Sequence, residues 1–124
     1  MSQKQRDFNI LFRKPRYPLI VISVDKLMAA FNIKELAACC ISARPVKDRN
    51  VIIVIDSTGE EFWYSPKNYT IAPGFAFKKW TKKQLIELYN DSNPVNNDTK
   101  YSAKSLSNKR LSQIILDICN LLKS

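Results

Sequence analysis

Histidine is absent from the 124 residues of this chain. That removes the Ser-His and Cys-His nucleophile couples, the histidine-containing zinc sites and the commonest general base. Glycine is nearly as scarce, and two positions, Gly59 and Gly74, leave little room for phosphate-cradling loops. The three cysteines are an odd number at spacings that make no metal or redox motif, Cys39 beside Cys40 and Cys119 near the other end. Adjacent cysteines point in different directions on a strand or a helix, so they do not readily share one tetrahedral metal. They read as reduced thiols used as small hydrophobes, and no cofactor is expected. No apolar run approaches the roughly 18 residues needed to cross a bilayer, so membrane insertion is not expected. The start, Met1-Ser2-Gln3-Lys4-Gln5-Arg6-Asp7, carries charge without the apolar stretch and cleavage site of a secretory signal, which makes cytoplasmic residence the expectation.

Catalysis would have to rest on carboxylates, Lys or Tyr. The only acidic concentration is Asp56, Glu60 and Glu61. A metal-dependent nuclease would use an Asp at a strand end with a Glu-x-Lys on the next strand, and Glu60-Glu61-Phe62-Trp63 does not supply it. These acids read as solvated turn residues, with Gly59 as the turn glycine. The chain is not expected to be an enzyme.

What is present is a folding composition and a strong basic excess. The length suits a single domain over 1–124, and 45% hydrophobic with 25% charged residues excludes wholesale disorder. Twenty basic against eleven acidic side chains leave a net charge of +9. The excess is clustered: residues 1–16 carry Lys4, Arg6, Arg13, Lys14 and Arg16 against Asp7, and residues 67–86 carry Lys67, Lys78, Lys79, Lys82 and Lys83 against no acid. Such a field draws nucleic acid, acidic proteins or anionic membrane.

Along the chain, residues 1–16 read as a basic arm that docks through Phe8, Ile10, Leu11 and Phe12. Leu19, Ile20, Val21 and Ile22 suit a buried strand over 19–23. Ser23 then offers a cap for a short helix over 24–31, whose Val24, Leu27, Met28 and Phe31 share a side. Ile33, Leu36, Ala37 and Cys40 fall on the opposite side, which demands a break near Asn32, and 36–43 reads as a further strand. The segments 50–56 and 60–65 flank a turn at Asp56-Ser57-Thr58-Gly59 and form the clearest hairpin, its all-apolar first arm implying a central position. Residues 66–79 form a long connection pinned by Tyr69, Ile71, Phe75 and Phe77. A helix over 82–90 follows, then a polar linker over 91–102 containing Pro94. A last helix over 106–122, capped by Ser105 or Ser107, aligns Leu111, Ile114, Ile115, Ile118 and Leu122 in one stripe. The expected fold is α+β: an antiparallel sheet of about four strands with the helices at 82–90 and 106–122 packed on one face.

The most informative stretch is Lys78-Lys79-Trp80-Thr81-Lys82-Lys83. Thr81 serves as N-cap, Gln84 is its capping-box partner, and Trp80 with Leu85 makes a hydrophobic staple. Lysines at the positive end of a helix dipole are unfavourably placed by roughly 0.3–1 kcal/mol each where exposed. They read either as a site for an anionic partner or as a solvated basic face with Trp80 used for packing. The interleaved Tyr64, Tyr69, Phe75, Phe77 and Trp80 also suit stacking on single-stranded bases.

The stretches Gly59-Glu60-Glu61-Phe62-Trp63-Tyr64-Ser65-Pro66, Ala72-Pro73-Gly74-Phe75 and Lys79-Trp80-Thr81-Lys82-Lys83-Gln84-Leu85-Ile86-Glu87-Leu88-Tyr89-Asn90 resemble segments of small immunity proteins of bacterial contact-dependent toxin systems. The resemblance implies a single-domain inhibitor that binds and covers the active site of a cognate toxin, with no reaction of its own. Immunity proteins against nucleases are commonly acidic, so this basic chain demands an acidic surface on its toxin. Lys67, Lys78, Lys79, Trp80, Lys82 and Lys83 are the expected partner-binding residues. The alternative is a basic nucleic-acid-binding accessory protein using the same patch and the arm.

Overall fold

The computed structural model describes residues 8–45, 50–74, 78–92 and 109–123. In chain order the elements are β1 (Asn9–Ile10), β2 (Leu19–Ile22), β3 (Leu27–Ala30), α1 (Ile33–Ser42), β4 (Ile52–Ile55), β5 (Glu61–Ser65), β6 (Thr70–Pro73), α2 (Lys82–Ser92) and α3 (Leu111–Lys123). The strands form one six-stranded sheet in the order β1-β6-β5-β4-β2-β3. All neighbours are antiparallel except β1 and β6, so the architecture is α+β with a mixed sheet. The expectation of about four antiparallel strands is corrected on both counts.

The β-branched runs take the centre, as their all-apolar sequences demand. Because side chains alternate across a strand, Leu19 and Val21 of β2 with Ile52 and Val54 of β4 face one way, and Ile20 with Ile55 faces the other. The first face is covered by Leu36 and Cys40 of α1, together with Phe62, Tyr64 and Ile71. The second is covered by Leu85, Ile86 and Tyr89 of α2 and by Ile114, Ile115, Ile118 and Cys119 of α3. Each fully buried Ile or Leu contributes about 1.5–3 kcal/mol. α2 and α3 therefore share a face as the sequence suggests, but α1 packs opposite them.

Two elements differ from expectation, and the reasons are local. Residues 24–31 are not a helix: Ser23 donates its backbone N–H to Lys26 O at 2.9 Å, closing a turn that sends β3 back along β2. Ser23, expected as a cap, uses its hydroxyl to donate to Asp25 Oδ1 and to accept from Arg44 N, each at 2.9 Å. Residues 36–43 are not a strand but lie mostly within α1, which starts at the anticipated break because Asn32 is its N-cap. Asn32 Oδ1 accepts from Glu35 N at 2.9 Å, and Glu35 Oε1 accepts from Phe31 N at 2.8 Å. Since β3 and β4 both run antiparallel to β2, they are parallel to each other, and α1 is the crossover that parallel strands need.

The ends of the chain complete the sheet. Of the four apolar groups expected to dock the arm, Phe8, stacked on Tyr64 with centroids 5.5 Å apart, and Ile10 do so, whereas Leu11 and Phe12 are exposed. The arm also adds β1 beside β6, a strand inside the stretch 66–79 that reads in sequence as a connection. At the opposite edge Lys123 Nζ of α3 meets Glu35 Oε2 of α1 at 3.4 Å, joining the two helix layers. Asp91 and Ser92 of the expected linker belong to α2, while its remainder, residues 1–7 of the arm, Phe75, Phe77, Ser105, Ser107 and the first residues of the expected last helix lie outside the described residues. No helix among the described residues is long and apolar enough to cross a membrane.

Candidate functional site

The turn between β4 and β5 is organised by buried acids, and the expectation of solvated turn carboxylates is corrected here. Asp56, Glu60 and Glu61 are 2%, 6% and 3% exposed. Buried carboxylates require donors, and each has them. Asp56 Oδ1 accepts from Thr58 N at 2.9 Å, Thr58 Oγ1 at 2.6 Å and Glu60 N at 3.2 Å, while its Oδ2 accepts from Arg16 N at 3.1 Å. Glu60 accepts a bidentate pair of hydrogen bonds from Arg13, whose guanidinium lies 5.8 Å from the Phe62 ring centroid. That hydrogen bonding holds the Glu60 carboxyl below the usual carboxylate range, against the opposing effect of burial.

Glu61 is the hub of the corner. Its Oε2 accepts from the Trp63 indole N–H at 2.6 Å and its Oε1 from the Trp80 indole N–H at 2.9 Å, with Lys78 Nζ 3.5 Å away. Two indole donors, each on a rigid ring, and the Lys78 ammonium provide polar partners for the buried carboxylate. The backbone repeats the connection: Glu61 N donates to Lys78 O at 3.0 Å, Trp80 N donates to Gly59 O at 2.8 Å, and Glu60 bridges to Lys79. Gly74 is needed for the clamp, since a Cβ there would lie 2.8 Å from Trp63 Nε1.

From this anchored loop α2 begins as the sequence predicts. Gln84 N donates to Thr81 Oγ1 at 3.1 Å and Thr81 N donates to Gln84 Oε1 at 2.9 Å, a reciprocal capping box. Trp80 and Leu85 belong to the same apolar cluster.

The structure sorts the six expected partner-binding residues into three groups. Lys79 and Lys83 are exposed and Lys82 is half-buried, all three at the start of α2. Lys78 and Trp80 support them, because the Lys78 ammonium sits 5.3 Å from the Trp80 ring centroid and both engage Glu61. Lys67 is elsewhere: it follows Ser65, while Lys79 bridges Glu60 at the other end of β5, about 17 Å away at 3.3 Å per residue. The supports missed in sequence are Glu61, Trp63 and Arg13. The spacing of Glu61 and Trp63 on one face of a strand was the available signal for the first two.

Among the described residues no group of three or more Cys, Asp or Glu is placed to hold a metal ion. A cleft of about 230 Å³ lies on the α1 face between Cys40, Ile41, Ala43, Tyr64, Pro66 and Tyr69. Burial pushes the Cys40 thiol up to about 12, so it is no nucleophile at neutral pH. The Cys119 thiol is likewise pushed up to about 12. Comparison with family models, with curated proteins and with solved structures finds no match for this chain.

Proposed function

We propose that this protein acts by binding rather than by catalysis, as an inhibitor of the immunity-protein kind that engages an acidic surface of a cognate toxin. The observation that carries the reading is the start of α2, where Lys79, Lys82 and Lys83 make no ion pair among the described residues and flank Trp80, which is tied to Glu61. A positive corner whose cations are unpaired among the described residues speeds encounter with carboxylates, and its hydrogen-bonded backbone lowers the ordering cost of the complex. The nucleic-acid reading asks for aromatic faces free to stack. Tyr64 is buried beneath Phe8 and half-buried Trp80 has the Lys78 ammonium over its ring, so at the start of α2 neither offers a free face, although Phe12 of the arm is 90% exposed.

Affinity capture from the native cell with mass spectrometry, followed by an activity assay of the captured protein, tests the reading. The expected result is one protein whose activity falls stoichiometrically as this chain is added, through an interface on the order of 1,200–2,000 Å² that survives moderate salt. A gel shift on generic DNA or RNA that collapses between about 50 and 200 mM salt, with no protein recovered, would overturn it.

A further inference from the structure

The expected binding residues all come from one stretch of chain, yet the fold brings a second helix start to the same corner. Gly59 has φ +88°, and a Cβ there would lie 2.5 Å from Leu111 Cδ2 and 3.3 Å from Trp80 O. The entry to α2 and the first residue of α3 thus press on the same Cα from segments about thirty residues apart. Leu111 packs into the apolar cluster that holds Trp80, which turns Arg110, immediately before it, out to solvent. The Arg110 carbonyl accepts from Gln113 N at 3.0 Å and Ile114 N at 3.1 Å, so its backbone is fixed while its side chain is exposed.

The charges at this corner divide in a consistent way. Lys78 is matched by Glu61 at 3.5 Å and Lys109 by Asp117 at 2.7 Å. Lys79, Lys82, Lys83 and Arg110 make no ion pair among the described residues. Lys79 does lie within electrostatic reach of Glu60, but that carboxylate is already held by Arg13. Neither α2 nor α3 places an acid in its first turn, whereas α1 has Glu35 there. Four cations without an ion pair among the described residues, drawn from two segments that share an apolar contact, make a surface complementary to carboxylates spread over a partner rather than to one point charge.

We infer that Arg110 belongs to the binding face together with Lys79, Lys82 and Lys83, and that the face docks an acidic stretch of a protein across the starts of α2 and α3. The inference rests on the protein-binding reading and extends it to a residue outside the basic stretch. A fluorescent peptide of about ten glutamates, followed by anisotropy at low salt where such contacts are least screened, serves as the probe. Arg110→Glu and Arg110→Gln, Lys82→Glu and, as a control on α1, Lys34→Glu are compared in the full chain, with unchanged circular dichroism confirming the fold. Arg110→Glu is expected to weaken binding at least about threefold, as Lys82→Glu does, with Arg110→Gln intermediate and Lys34→Glu within about 1.5-fold. If Arg110→Glu matches the Lys34 control while Lys82→Glu weakens binding, the two-helix face is wrong and the α2 reading stands. If Lys82→Glu also matches the control, the protein-binding reading of this corner falls as well. Duplex DNA displacing the peptide at about 150 mM salt would make the occupant a polyphosphate and overturn the assignment.

Discussion

The starts of α1 and α2 use similar capping logic with different charge, since the first turn of α1 sets Glu35 beside Lys34 and that of α2 carries Lys82 and Lys83 with no acid. At α1, Asn32 accepts from Glu35 N and the Glu35 carboxylate reaches back to Phe31 N, with Lys123 closing on Glu35 from α3. At α2, Thr81 and Gln84 exchange equivalent hydrogen bonds, but the side chains added to the first turn are Lys82 and Lys83. Each start has one first-turn N–H accepted by its cap side chain, but only the first places a carboxylate at the positive end of the dipole, while the second places lysines there. Where a chain follows one local rule and breaks another within a single turn, the broken rule marks a place where something other than stability is served.

The largest effect should come from removing what holds the second start in place. Glu61→Ala leaves two indole N–H groups without their acceptor, at a cost of about 3–5 kcal/mol. At roughly 3–6 °C per kcal/mol for a chain of this size, the Tm should fall by more than about 10 °C. Indole N–H resonances of Trp63 and Trp80 should lose their exchange protection together. Retained protection with an unchanged Tm would show that the corner does not depend on the clamp. Gly59→Ala comes next, at about 2 kcal/mol, because a side chain at φ +88° is strained and its Cβ meets Leu111. Its effect should concentrate in slower exchange protection lost from the first turns of α2 and α3, leaving the start of α1 unaffected.

The first start offers a smaller and differently shaped response. Asn32→Ala should cost about 1 kcal/mol in chemical denaturation. Acid should distinguish the two starts without any mutation. The Glu35 carboxyl is held below its ordinary value, chiefly by the Phe31 N–H and then by Lys123. A carboxyl lowered on folding adds stability that is present above its unfolded pKa of about 4.3 and is lost as pH falls through the lower folded value. Gln84 does not titrate. Amides at 31–35 should therefore lose protection below about pH 4 before those at 81–85, measured by hydrogen exchange, and simultaneous loss would erase the distinction.

The same contrast explains what could be read from the sequence. The start of α2 was legible because Thr81 and Gln84 are three residues apart, and the hairpin because β-branched runs flank a turn. The break at Asn32 emerged from the helical wheel, yet the elements on either side were exchanged. Leu27-Met28-Ala29-Ala30 has three buried residues and a half-buried Met28, and a four-residue run with neither face exposed gives no period by which to choose strand over helix. The Asn32 and Glu35 pair was the overlooked helix signal, in a segment whose alanines fit a strand poorly. The basic corner was visible as charge, but Glu61 reads as a turn acid until Trp80, nineteen residues on, joins Trp63 as its second indole donor. Arg110 joins only through Leu111 at Gly59, a contact that local sequence does not encode.

The smallest effect has the most telling sign. Replacing Lys82 or Lys83 with Glu puts an acid in the first turn of α2, which has none, so each change should stabilise the fold by about 0.3–1 kcal/mol at low salt. Urea denaturation with and without added salt reads this directly, since screening should shrink the gain. If the corner serves an acidic partner, the same variants lose association rate as they gain stability, and most of the loss should vanish at high salt. A residue retained only as solvated surface has no reason to couple the two measurements in opposite directions. Variants more stable and equally competent in binding would leave the opposed dipole as ordinary surface variation, and the difference between the two helix starts would carry no functional meaning.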